Sequence, residues 1–155
     1  MEKQTSDELS FDLWITMDKL DHYIYLIRQR ELNQYNISSK QLLVLRTVKA
    51  LGSNATVYNI AKETDREVGV ISGQTVILEK DGLIKRTRSK PKSRQFTIEL
   101  TDKGLNLTKI PRESKTVDRI FSTLNKSQRQ QTYLALNRML VKAKKYATGR
   151  KGQIL

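Results

Sequence analysis

Thr56-Val-Tyr-Asn-Ile-Ala-Lys-Glu-Thr64, then Asp65-Arg66, then Val68-Gly-Val-Ile-Ser-Gly-Gln-Thr-Val-Ile-Leu-Glu-Lys-Asp-Gly82, form the first half of the stretch that decides the fold. Leu83-Ile-Lys-Arg-Thr-Arg88, Ser89-Lys-Pro-Lys-Ser-Arg94 and Gln95-Phe-Thr-Ile-Glu-Leu-Thr101 form the second. Thr56 can cap a short helix that buries Val57, Ile60 and Ala61, and Asp65 is expected to cap the next helix, which Gly82 ends. Leu83 to Arg88 and Gln95 to Leu100 alternate as the two strands of a hairpin, with Lys90-Pro-Lys-Ser-Arg94 as its loop. A brief strand is expected near Asn54-Ala55. Two helices across a turn, followed by a basic hairpin, describe a winged helix-turn-helix. In such a unit the second helix enters a DNA major groove and the hairpin touches the flanking backbone.

The second of these helices contradicts its own composition. Val68 to Leu78 is rich in β-branched residues and holds Gly69 and Gly73, so propensity alone reads it as a strand. Periodicity favours a helix, because Ile71, Thr75 and Leu78 fall on one helical face. Tertiary packing must then stabilise it.

Working outward, Ser38-Ser-Lys-Gln41 is a capping box opening a helix with Leu42, Leu45 and Val48 inward and Gly52 past its end. Before it, Thr5-Ser-Asp-Glu8 is a second capping box. Leu13, Met17, Leu20, Ile24 and Ile27 then recur at helical spacing to about Leu32, with Trp14 and Tyr23 widening the stripe. After the hairpin, Thr101 caps a helix in which Leu105 and Leu107 begin the burial. Pro111 should kink or break that helix within Thr108–Arg112 and start a new segment from its own first turn, with Glu113 near that segment's N-terminus. Val117, Ile120, Phe121 and Leu124 resume an apolar stripe, Asn125-Lys-Ser-Gln128 caps the last helix, and Tyr133, Leu136, Leu140 and Ala143 form its seam. From about Thr148 the chain is a basic tail.

The fold class is therefore mainly α with a small antiparallel β wing, in one domain: a winged helix-turn-helix lobe at 36–101 flanked by dimerisation helices at 6–33 and 102–147. Leu13, Met17, Leu20 and Ile24 on the first helix and Tyr133, Leu136 and Leu140 on the last are the candidate dimer contacts.

Charge and composition narrow the function. Lys and Arg total 29 against 16 acids in 155 residues, for a net charge of +13. That excess calls for a polyanionic partner. It is uneven: residues 1–31 hold seven acids against four bases, whereas nine bases and no acid follow Asp118. Six bases and no acid lie between Gly82 and Ile98, inside the wing. Zero Cys excludes thiol redox sensing and cysteine metal sites and fits a reducing compartment, and a single His, His22, argues against a His-based metal site. Without a signal-peptide pattern or a long apolar run, the expected location is the cytoplasm, with no membrane partner. Glu63, Asp65 and Glu67 cluster without a nucleophile or base, and no Gly-rich phosphate loop is present, so neither an enzyme activity nor a cofactor is expected.

Candidate DNA contacts follow from position. On the second helix of the unit and just before it these are Arg66, Gly69, Val70, Ser72, Gly73, Gln74 and Val76. On the wing and backbone they are Arg86, Arg88, Lys90, Lys92 and Arg94, with Lys40 and Asn59 near the starts of the two preceding helices. Base reading usually employs Arg, Lys, Asn or Gln, and this helix offers few. Three readings stand: Gly69 and Gly73 admit close backbone approach while Val70 and Val76 meet thymine methyls, favouring A/T-rich sites; affinity comes mostly from phosphates; or this helix does not bind DNA.

The order of elements resembles the MarR (multiple antibiotic resistance regulator) family of transcription factors over nearly the whole chain. The resemblance rests on Gln41-Leu-Leu-Val-Leu45, Ile60-Ala-Lys62, Leu78-Glu-Lys-Asp-Gly-Leu-Ile-Lys-Arg86 and Ile98-Glu-Leu-Thr-Asp-Lys-Gly104. It implies a homodimer held by the terminal helices and binding to a near-palindromic operator in double-stranded DNA, often as a repressor released by a small-molecule effector. Two departures stand out. The family's wing usually carries Asp with Arg two residues on, where this chain has Lys92 and Arg94. Its recognition helix commonly carries a long polar residue near the position of Gly73. The alternative from another class is a basic winged-helix adaptor or architectural protein that binds nucleic acid non-specifically, or a protein partner.

Overall fold

The computed structural model describes residues 6–88, 96–111 and 114–148. The expected capping box at Thr5, the wing-tip residues Lys90, Lys92 and Arg94, Glu113, and the tail after Thr148 lie outside or partly outside them. Contacts divide the chain into two compact units, 1–112 and 113–155.

In the first unit α1 (Ser6–Asn33) is followed by α2 (Ser39–Leu51), a 3-10 turn (Gly52–Asn54), α3 (Val57–Thr64) and α4 (Val68–Lys80). Strands β1 (Ile84–Arg88) and β2 (Phe96–Leu100) and a short α5 (Asp102–Leu107) complete it. Local hydrogen bonds explain most boundaries. The Gln41 N–H donates to Ser38 Oγ at 3.1 Å and the Ser38 N–H to Gln41 Oε1 at 2.9 Å, the expected capping box. Gly52 closes α2 at φ 54°, a conformation that favours glycine. Thr56 and Thr101 cap α3 and α5 through their hydroxyls.

Asp65 departs from expectation. It ends α3 in the left-handed conformation at φ 51° and does not cap α4, whose N-cap is Glu67. The orphan carbonyls of α3 explain the change: the Arg66 N–H bonds the Ala61 carbonyl at 2.9 Å, which requires a left-handed residue just before it. The strand expected at Asn54-Ala55 is instead the 3-10 turn followed by a single bridge between Thr56 and Thr97. The Ile98 N–H also donates to the Ala55 carbonyl, at 2.7 Å.

α4 is a helix despite its composition. Ile71, Thr75 and Leu78 are buried together with Leu42, Leu45, Ile60, Ile84 and Ile98, and α4 packs against α2, α3 and β1. Burying each large apolar side chain contributes roughly 1.5–3 kcal/mol, which outweighs a helix-propensity deficit of at most about 1 kcal/mol per residue. The wing is an antiparallel pair running from Ile84 opposite Leu100 to Arg88 opposite Phe96.

α5 ends at Leu107, and the turn after it is tightened: the Leu107 carbonyl, which proline at 111 cannot serve, accepts from the Ile110 N–H at 3.1 Å. The break expected at Pro111 is present. Pro111 itself does not open the next helix, which has Ser114 as its N-cap, because the Ser114 hydroxyl accepts the Val117 N–H at 3.1 Å. Leu105, expected inward, is exposed, whereas Leu107 packs against the core.

The second unit holds α6 (Lys115–Phe121) and α7 (Lys126–Thr148), the latter opened by reciprocal bonds between Asn125 and Gln128 as expected. No described side chain of α7 is buried. Along α1 only Leu32 is buried, and Leu13, Trp14, Met17, Leu20 and Tyr23 are exposed while Ile24 is half-buried.

Candidate nucleic-acid interface

The outward face of α4 is apolar and low in relief. Val68, Val70, Val76 and Ile77 are each 47–50% exposed, an unusual amount for four β-branched side chains on one short helix. Between them lie Gly69, Ser72 and Gly73, all exposed. A Cβ built on Gly69 or Gly73 would meet nothing within 4 Å, so neither glycine is required by packing inside the protein. Gln74 sits at the margin of this face, half-buried with its Oε1 enclosed. Arg66 is exposed just ahead of the helix. Arg66, Gln74 and Lys40 border one groove of about 430 Å³ between the start of α2 and the start of α4. The Lys40 ammonium stands 5.9 Å from the Tyr25 ring centroid.

Asn59 is engaged elsewhere: its Nδ2 donates to the Asn54 carbonyl at 2.8 Å. The outward residues of α3 are Tyr58, 63% exposed, and Lys62, one turn on. The sequence reading missed both. Their i, i+4 spacing opposite the buried Ile60 and Ala61 was the available signal.

The wing separates its two described arginines. Strand alternation puts Arg86 and Arg88 on one face with Phe96, and their guanidinium carbons lie 5.7 Å and 5.6 Å from its ring centroid. Arg86 is held by Glu79, near the end of α4. Its Nε donates to Glu79 Oε2 at 2.6 Å, its backbone N–H donates to Oε1 at 3.2 Å, and another guanidinium nitrogen pairs with Oε2. The side-chain hydrogen bond from Arg86 keeps the Glu79 carboxyl below its ordinary pKa, with the backbone bond and the charge adding to it. Arg88 is exposed and forms no ion pair among the described residues. Lys85 points to the opposite face, across from Glu99.

This geometry comprises a helix face open to solvent, a basic ribbon beside it and a helix ahead of it carrying a tyrosine and a lysine. Residues 37–95, which run from just before α2 to just before β2, match the family model described as "MarR family". Over those residues the chain is similar to the MarR family. MgrA, an HTH-type transcriptional regulator of Staphylococcus aureus, is 29% identical over 136 residues, covering 88% of this chain and 87% of that protein. Among solved structures, the S. aureus MepR–DNA complex superposes with a TM-score of 0.75 at 21% identity, covering 83% of this chain and 96% of that one. The organohalide-sensing regulator RdhR bound to 2,4-dichlorophenol gives a TM-score of 0.79 at 19% identity, covering 97% and 92%. These two likenesses are of fold. MarR proteins are DNA-binding transcription regulators and not enzymes. No three His, Cys, Asp or Glu side chains gather as a metal site among the described residues, and no described helix is long and apolar enough to cross a membrane.

Proposed function

We propose that this chain is a MarR-family homodimeric, sequence-specific repressor that binds a near-palindromic operator in cytoplasmic double-stranded DNA and is released by a small-molecule effector. The open face of α4 beside the basic wing carries the reading. Arg66, Gly69, Val70, Ser72, Gly73 and Val76 would face the groove, and Arg88, Lys40, Tyr58 and Lys62 would meet phosphates. The exposed apolar stripes of α1 and α7 support the dimer, since a chain rarely leaves Trp14, Leu13, Tyr133, Leu136 and Leu140 in water together. The acidic bias of residues 1–31 and the basic bias after Asp118 favour that pairing. The small-molecule effector rests on RdhR, whose structure contains 2,4-dichlorophenol.

The test is to sequence the DNA fragments that co-purify with the protein. Affinity is then measured against salt for the recovered duplex, a scrambled duplex and duplex RNA, with mass measured by light scattering. The reading expects a dimer, a preference of at least about 10³ for the recovered duplex, and a steep salt slope. The apolar face of α4 favours one rival in particular. A steep slope with no sequence preference would make the protein a non-specific, architectural binder.

A further inference from the structure

We propose that Glu79 and Arg86 form a latch that sets the wing against α4, so that Arg86 positions the wing and Arg88 alone of the two meets the DNA backbone. This rests on the DNA-binding reading above and names how its two contact elements are held in register.

The chain leaves α4 at Lys80 and enters β1 at Ile84 through a tight turn, with Gly82 at φ 69°. Among the described residues the buried side chains of the hairpin are Ile84 at its base and Ile98 opposite Arg86, and the other edge of β2 is tied at Thr97 and Ile98 to Thr56 and Ala55. Beyond Arg86 the first strand is exposed. A two-stranded ribbon is marginally stable alone, so its outward half takes its direction from whatever ties it down. Glu79 supplies that tie from the helix side. One carboxylate accepts the Arg86 backbone N–H and grips its guanidinium, which restrains both the strand and the side chain. The restraint continues along the face of the ribbon, where the guanidinium groups of Arg86 and Arg88 both lie near the Phe96 ring. Arg86 is thus neutralised and fixed, while Arg88 keeps its charge and rests on a ring that Arg86 helps hold. The forked guanidinium suits this double grip and an ammonium does not.

Glu79→Gln tests the latch, because glutamine keeps the volume and one acceptor but removes the charge. On the recovered duplex, E79Q and R88A should each weaken binding about ten-fold and each lower the salt slope by about 0.9, one phosphate contact. The double variant should be little worse than either single one, since an unlatched wing no longer presents Arg88. Arg86→Lys should behave like E79Q. In the free protein, the Arg86 Nε–H resonance should exchange slowly with solvent in the wild type and rapidly in E79Q. A purely structural tie would leave the effect of R88A additive, whatever the change in melting temperature. Unchanged binding by E79Q, full additivity with R88A, or a rapidly exchanging Arg86 Nε–H in the wild type would each overturn the latch and leave the DNA-binding reading standing. A wild type that binds no duplex would overturn both, and the loss would show before any variant is made.

Discussion

Replacing Gly69 and Gly73 together by alanine should make the protein more stable and a poorer DNA binder. Both lie inside α4 with ordinary helical backbone, since the positive-φ glycines are Gly52 and Gly82. A helical glycine costs roughly 0.5–1 kcal/mol relative to alanine, because more backbone entropy is lost on folding. A new Cβ meets nothing within 4 Å at either site, so no clash offsets the gain. The pair should therefore contribute about 1–2 kcal/mol, or about 2–8 °C in Tm for a chain of this size. Tm must be compared at one protein concentration, because a dimer's stability depends on it. The same two methyl groups stand on the exposed face, one turn apart. If the α4 backbone approaches the groove floor there, they should hold it off and weaken operator binding roughly ten-fold or more, the scale of an overpacked contact. A double variant that melts at or below the wild type would refute the claim that the glycines are surplus to the fold. One that melts higher and binds equally well would refute close approach and leave the phosphate-dominated alternative.

Gly104 should behave oppositely: a Cβ there would lie 2.0 Å from the Leu83 carbonyl oxygen, so Gly104→Ala should lower stability by about 1–3 kcal/mol or more in a denaturant titration. Ser38→Ala removes the hydroxyl that caps α2 and should cost about 1 kcal/mol in the same assay, while Ser39→Ala, beside it but not the N-cap, should cost less. Deleting residues 1–30 should abolish the dimer and cause aggregation, and a truncated chain that stays soluble, monomeric and DNA-binding by light scattering and titration would remove α1 from the interface. Glu79 has a lowered folded pKa, so its contribution should be fully present above the ordinary glutamate range and be lost as pH falls through the lowered value. Acid unfolding profiles of wild type and E79Q should accordingly differ above that window and converge below it.

Much of this fold is legible in one sequence because it is written in local hydrogen bonds. Ser38 with Gln41, Thr56, Thr101, and Asn125 with Gln128 each satisfy orphan N–H groups within a few residues, and each starts the helix that its spacing announces. The break at Pro111 follows from one missing N–H. The basic wing is visible because charge needs no partner to be counted. Other features depended on what came to lie beside them. Asp65 suits either the end of one helix or the start of the next, and the reach of the Arg66 N–H to Ala61 assigned it to the end of α3. Val68 to Leu78 is locally a strand, and α2, α3 and β1 make it a helix by burying Ile71, Thr75 and Leu78. Arg86 and Arg88 are equivalent in sequence until Glu79, seven residues earlier and on another element, engages one of them. Gly73 and Gly104 are the same residue type in two helices, yet only Gly104 has a backbone carbonyl pressed against it. Composition and spacing determine where helices start and where charge collects. Which side chains remain available for DNA is decided by tertiary contacts, because availability depends on neighbours distant in the chain.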